Sequence, residues 1–444
     1  MAKLPRSERK RIERANTLKN KILIGIDPGR TSHTGIIYSP DRMPLTNAMS
    51  IRNNRNGLAK LEKIIKNIMT RFPDNQVIFA IEASGEYWKP LWHYFTQRSF
   101  ETIYVPPLFV KRTRDLDDYT PRSNDPKDAA RITNLAYEGR YFTKPNQPEV
   151  FNNLQQTVKT WEQVTKEATR THLRIRSLLD KFFPEYVTVF SNVTGAASLK
   201  VLERWPFPGD LLGADKIELI QLINQASGSR LGETAAIQLI NLAEISIGIT
   251  IGIDGGRSKL TRLINQINFY KQQLTPLRRE LRTLVRQIDY AWRIMTLPGI
   301  GLISTARFLG HLGDLNNFDQ VNKIIDFAGL DLISSESGQF KSQRQISHRG
   351  KSALRCMLYE MNCHFVRFPN TARRKFLKCR INNKRYRQAI VAAIPHLVRT
   401  IFAVVKGDQL YQPPQANDPL LNEINFLETV LKEQQKQKKF KQAA

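Results

Sequence analysis

The sequence predicts an α/β plus all-α protein: a mixed sheet domain near the N-terminus, a coiled-coil helical linker, and a helical C-terminal domain. Three observations carry this. Short continuous apolar runs alternate with helical spacing between residues 22 and 105, the pattern of a sheet flanked by helices. Two later stretches, 151 to 183 and 260 to 288, place apolar residues at steps of three and four, which marks long amphipathic helices. The turn Leu297-Pro298-Gly299-Ile300-Gly301 then opens a compact helical region whose last patterned helix spans about 388 to 406.

Taken in order, residues 1 to 20 are polar and basic, with Arg9, Lys10, Arg11 and Arg14 close together. They read as a mobile basic arm that orders on nucleic acid, or as a solvated tail. The sheet domain runs over 21 to 145. Ile22 to Asp27 and Gly35 to Ser39 form a hairpin across the turn at Pro28-Gly29. Residues 57 to 71 carry helical spacing, 77 to 82 form the next strand, and helix 88 to 98 leads to strand 102 to 105, closed by Pro106-Pro107. The linker covers 146 to 290, with a helical insertion at 190 to 257. Its second helix keeps Leu260, Leu263, Ile267, Tyr270, Leu274, Leu277, Leu281, Leu284 and Ile288 on one seam. Such a seam packs along the first helix or along a neighbouring subunit, and Pro276 is expected to kink it. The C-terminal domain spans 291 to 411, and residues 412 to 444 read as a polar tail, disordered at its end.

Composition narrows the partners. Over 444 residues the formal charge is +28, with an apolar fraction of 41%, so the chain is globular and suited to a polyanion. Nucleic acid fits better than membrane, since no apolar run reaches the roughly 18 residues of a spanning helix and no signal peptide opens the chain. Cys356, Cys363 and Cys379 lack CxxC spacing and read as reduced cytosolic thiols, not a zinc site.

Four acids are the first chemical constellation. Asp27 and Glu82 end strand-like runs, and Asp125 with Asp128 opens a helical pattern at i, i+3 spacing, which puts both on one helix face. Such oxygen donors suit a hard divalent cation; Asp125 before Pro126 equally suits a plain helix N-cap. Ser334, Ser335 and Ser337 read alone as a polar loop, since a serine is a weak nucleophile without an activating partner. Gly299 and Gly301 let backbone amides approach a phosphate or simply make a turn. Arg349, Lys351, Arg355, Arg373, Arg374, Lys378 and Arg385 crowd the last third beside Phe376 and Tyr386, which reads as phosphate contact with base stacking or as a solvated charge run.

The order Gly25-Ile26-Asp27, Ile81-Glu82-Ala83 and Asp125-Pro126-Lys127-Asp128-Ala129 resembles the N-terminal domain of the DEDD transposases of the insertion-sequence one-ten family. Pro298-Gly299-Ile300-Gly301, Ser337-Gly338 and Gly350-Lys351-Ser352-Ala353-Leu354-Arg355 resemble its C-terminal motifs in the same order. Where the family commonly has Lys-Thr-Asp, this chain has Ser123-Asn124-Asp125, so a basic side chain near the acids is missing or comes from elsewhere, such as Lys127. The resemblance implies a RuvC-like (RNase H-type) metal domain whose Asp27, Glu82, Asp125 and Asp128 hold Mg²⁺ or Mn²⁺. It implies a recombinase of a mobile insertion sequence in which Ser337 forms a covalent phosphoserine on target and donor DNA. It also implies guidance by a bridge RNA, a homo-oligomer in which a dimer pairs to a tetramer, and a cytoplasmic, nucleoid-associated setting in a prokaryote. A RuvC-type nuclease using metal-activated water and a non-catalytic nucleic-acid scaffold are the alternatives.

Overall fold

The computed structural model describes residues 6–117, 125–143, 147–228, 232–333, 336–337, 340–341 and 345–443. The chain divides into two compact units, Met1–Asn146 and Gln147–Ala444.

The first unit contains α1 (Arg6–Thr17), β1 (Ile22–Asp27), β2 (Ser32–Tyr38), β3 (Met49–Arg52), α2 (Arg55–Arg71), β4 (Val77–Glu82), α3 (Trp88–Thr96), β5 (Glu101–Val105), α4 (Pro107–Asp117) and α5 (Asp125–Tyr137). Five strands form one sheet in the order β3-β2-β1-β4-β5. β1 pairs antiparallel with β2 and parallel with β4, and β4 pairs parallel with β5. The runs in β1 and β4 are continuous and not alternating because both sheet faces are covered. Ile22, Ile24, Ile26, Phe79 and Ile81 pack with Leu58, Leu61 and Phe95 of α2 and α3. Leu23, Ile78, Ala80 and Ile103 pack with Val110, Ile132 and Leu135 of α4 and α5. Strand side chains alternate in direction, so Asp27 and Glu82, which follow Ile26 and Ile81, turn to the α4/α5 face. Gly25 decides how close α5 comes. A Cβ there would lie 2.0 Å from Thr133 Oγ1 and 2.4 Å from the Ala129 carbonyl oxygen, so the helix rests on bare backbone.

One expectation for this unit changes. The basic arm is an ordered helix: Arg14 Nη1 donates to the Tyr141 carbonyl at 2.9 Å, Thr17 and Tyr141 hydroxyls meet at 2.7 Å, and Leu18 is buried in the core. Arg9 and Lys10 face outward while Arg11 and Arg14 are half-buried, a distinction that composition alone cannot make. Pro106-Pro107 closes β5 as expected, and Pro107 also opens α4, since proline is tolerated at the first helical position.

The second unit begins with α6 (Glu149–Phe182), followed by α7 (Tyr186–Val189), α8 (Ala196–Arg204), α9 (Pro208–Leu212), α10 (Lys216–Ser227), α11 (Gly232–Glu244) and α12 (Ile253–Arg286). α6 and α12 run antiparallel. Phe151, Leu154 and Val158 share a core with Leu281, Leu284 and Val285. Ile175, Leu178 and Leu179 share another with Leu260, Leu263, Ile264 and Ile267, and with α8 to α11. The two ends of the seam are satisfied within one chain, with Leu281 fully buried, whereas Tyr270, Leu274 and Leu277 at its middle are half-buried. α12 continues through Pro276.

The remaining elements are α13 (Ala291–Ile294), α14 (Leu302–Leu312), α15 (Val321–Phe327), β6 (Leu332–Ile333), β7 (Glu336–Ser337), β8 (Phe340–Lys341), β9 (Gln345–Ile346), α16 (Ser352–Phe365), α17 (Thr371–Ile381), α18 (Tyr386–Lys406) and α19 (Pro419–Ala443). The expected polar tail is largely α19, which buries Ile424 and Leu427 against Leu377 of α17. Its sparse apolar stripe is enough for one contact line and too thin to read as a helix face. α18 is by length and mean composition apolar enough to cross a membrane, although Arg387, His396 and Arg399 interrupt its apolar run. Its Ile390, Ile394, Leu397, Val398 and Ile401 instead build the core around α14 and α16.

Candidate active site

The parallel pairing of β1 and β4 sets Ile26 opposite Ile81, so Asp27 and Glu82 leave adjacent strands at the same end. Asp128 comes to them from the first turn of α5, one residue before the Ala129 carbonyl that lies against Gly25. Asp128 is 1% exposed and Glu82 8%. Burial pushes Glu82 up to about 7, reinforced by the negative charges of Asp27 and Asp128 and opposed by Arg114. Three of the four predicted acids thus share one electrostatic environment. Asp125 begins the same helix, but its side chain lies outside the described residues.

The cluster has a cationic partner that sequence reasoning missed. Arg114 of α4 grips Asp128 with both ends of its fork, Nε to Oδ1 at 2.8 Å and Nη2 to Oδ2 at 2.5 Å. Arg131, one turn along α5, donates Nη1 to Oδ1 at 2.9 Å. Nothing in local spacing links Arg114 to an acid in another helix; the only signal was a basic run, Lys111-Arg112-Thr113-Arg114, inside an acid-converging region. Lys127 is exposed and engaged in contacts of its own.

In chemistry and charge the set fits a hard divalent cation: oxygen donors only, and one carboxylate driven toward protonation by burial and by the charge of the others. Among the described residues the carboxylates are not drawn tightly enough to hold an ion, and Arg114 supplies positive charge at Asp128.

Ser337 lies in β7, paired antiparallel with Phe340 of β8; its side chain lies outside the described residues. The excursion starts and ends at β6 and β9, where Leu332 faces Ile346. Its base is tied closely. Ser347 N donates to the Asp331 carbonyl at 2.8 Å, and the Ser347 hydroxyl donates to the Asp331 carboxylate. Arg355 Nη1 holds the Ala328 carbonyl at 2.9 Å. Gly329 has φ +67°, and a Cβ on Gly350 would fall 2.3 Å from Gly329 N. The two chain segments cross backbone to backbone, which only glycine permits.

The predicted nucleic-acid residues divide into two groups. Gly299 (φ +78°) packs under His364 and Phe368, within 3.1 and 3.2 Å of an added Cβ, whereas Gly301 opens α14 with nothing within 4 Å. Lys351 Nζ donates to the His311 carbonyl at 2.7 Å. Arg373 pairs with Glu428, and Arg374 and Lys378 with Glu423, joining α17 to α19. Arg349 and Arg385 are exposed. Arg355, Arg373, Arg374 and Lys378 therefore have intramolecular work that spacing could not reveal.

Comparison with known proteins gives two family matches, the first covering most of the first unit and α6 of the second, the other lying within the second unit. A transposase family model of the DEDD type matches residues 24–184, and a model described as transposase IS116/IS110/IS902 family matches 291–378. An uncharacterized 44.8 kDa protein of insertion element IS116 from Streptomyces clavuligerus is 22% identical, over 90% of this chain and 98% of its own length. A 43.6 kDa protein of insertion element IS110 from Streptomyces coelicolor is 20% identical, over 88% and 95%. A 42 kDa protein of IS900 from Mycobacterium paratuberculosis is 20% identical, over 88% and 96%. The DEDD type carries with it dependence on a divalent metal. With both halves matched in order, and relatives that run nearly end to end, the chain belongs to the IS110 family of insertion-element transposases, enzymes that cut and rejoin DNA.

Proposed function

We propose that this transposase exchanges DNA strands through a covalent phosphoserine at Ser337, with Mg²⁺ or Mn²⁺ held by Asp27, Glu82, Asp125 and Asp128. The observation that supports the metal assignment best is the shared charge of Asp27, Glu82 and Asp128 at one end of two parallel strands. When bound, the metal neutralises charge that develops on the phosphate oxygens.

In this reading Ser337 Oγ attacks the scissile phosphorus. A P–Oγ bond forms as the bond to one strand's oxygen breaks, and that oxygen leaves with a proton. A hydroxyl of the incoming strand later attacks the same phosphorus, and Oγ departs to restore the serine. Each step trades one phosphate ester for another, so rejoining needs no nucleotide hydrolysis. The exposed Arg349 and Arg385 contact phosphates, and the +28 charge favours polyanionic partners. A bridge RNA that selects target and donor DNA, and a dimer that pairs to a tetramer, complete the proposal.

One observation favours a second reading. Glu82 near 7 is well placed in pKa to act as a general base toward water, as a RuvC-type nuclease would require. Strand transfer with Ser337→Ala and Asp27→Ala separates the two. The phosphoserine route predicts that both variants are inactive and that a DNA-linked Ser337 peptide is recovered from wild type. Strand exchange that survives in Ser337→Ala would refute it. Sequencing the RNA that co-purifies with the protein tests guidance, with only random transcripts as the contrary result.

A further inference from the structure

The two arginines on Asp128 are held differently. Arg131 belongs to the same helix as Asp128, is 7% exposed at its side chain, and reaches Oδ1. Arg114 comes from α4, has a side chain 35% exposed, and spans both oxygens. Its charge also acts on Glu82 and Asp27. If Arg114 withdrew, Asp128 would stay anchored through Oδ1 by Arg131 while the face that Arg114 covers became open. A guanidinium fork matches a phosphate as well as it matches a carboxylate, and a carboxylate whose two oxygens both accept from that fork has its charge partly neutralised and one face covered against a cation.

We infer that Arg114 is an exchangeable counter-ion of the carboxylate site: it neutralises Asp128 in the metal-free protein, yields that carboxylate when a divalent cation enters, and turns to a phosphate of the bound nucleic acid. The inference rests on the reading that Asp27, Glu82 and Asp128 hold the metal. It makes Arg114 a competitor of the cation in the absence of DNA and a ligand of DNA in its presence. A purely structural Arg114 would do the reverse, since its loss would loosen Asp128 and weaken metal binding.

Mn²⁺ titration of the full chain without nucleic acid, read by the paramagnetic resonance of free Mn²⁺, tests this. Arg114→Met is expected to bind Mn²⁺ on the order of tenfold more tightly than wild type. Arg114→Lys, with one compact charge in place of a fork, is expected to fall between and guards against misfolding of the first variant. Asp27→Asn is expected to lose the binding. Unchanged or weaker Mn²⁺ binding in both Arg114 variants, with binding still lost in Asp27→Asn, overturns the counter-ion role and leaves the metal site standing. Mn²⁺ binding by Asp27→Asn equal to wild type overturns the metal site and this inference with it.

Discussion

The carboxylates and the serine are held in opposite ways. Asp27 and Glu82 end neighbouring central strands, and Asp128 sits on a helix laid against bare Gly25 backbone. Every one of those positions is set by core packing. Ser337 sits in a two-residue strand whose flanking Leu332 and Ile333 are exposed, and what orders it is a clamp at the base, Asp331 with Ser347 and Gly329 with Gly350. A metal site needs donors at fixed separations, which rigid elements supply. A nucleophile that must reach a phosphate and later release it can ride on an excursion, provided its base is fixed.

If that contrast is right, the largest effect follows from disturbing the sheet–helix contact. Gly25→Val pushes a side chain into Thr133 and the Ala129 carbonyl, and overpacking of backbone against backbone is expected to lower stability by about 3 kcal/mol or more. Chemical denaturation of the full chain would show it, and an unchanged midpoint would mean that α5 is free to slide.

A smaller effect comes from charge within the same cluster. Because folding raises Glu82 from 4.5 to about 7, the protonated form is favoured in the folded state. Its contribution to stability is complete below pH 4.5, declines between 4.5 and 7, and is lost above 7. Glu82→Gln removes that decline, so without metal the variant is expected to exceed wild type at pH 8 by up to about 3 kcal/mol and to match it near pH 4.5. Parallel stability curves for the two proteins would contradict the assigned environment.

The smallest global effect belongs to the serine excursion. Asp331→Ala removes the acceptor of the Ser347 hydroxyl and is expected to cost about 1 kcal/mol overall. Hydrogen exchange should nevertheless rise sharply and locally at 332, 333, 345 and 346, while Asp331→Asn retains most of the protection. Uniform exchange changes throughout the second unit would show that the clamp belongs to the core.

Much of the fold was legible because it depends on patterns read within one segment. The runs of β1, β4 and β5 and the seams of α6 and α12 are local periodicities, and the structure contains those elements. What escaped were features whose sense depends on another segment. The basic stretch at the N-terminus reads as a tail until Tyr141 is there to receive Arg14. The α19 stripe reads as polar until α17 covers it. Arg373 and Lys378 read as phosphate contacts, and the pairing with Glu428 and Glu423 that the structure adds could not be read from their own stretch. At the candidate site, Asp27, Glu82 and Asp128 stood out as acids at strand ends and at a helix start, but Arg114 did not stand out at all.

By itself the sequence determined the alternating strand and helix elements, the paired seams, the basic excess and the ordered motifs of the IS110 family, because composition and periodicity are properties of a single stretch of chain. Only the tertiary structure decided that three carboxylates share one electrostatic environment, two of them buried, that an arginine from α4 answers their charge, and that both ends of the seam are buried within one chain. Those are long-range contacts, set by parallel strand pairing and by the close approach at Gly25, and burial and charge coupling arise only once distant residues are brought together.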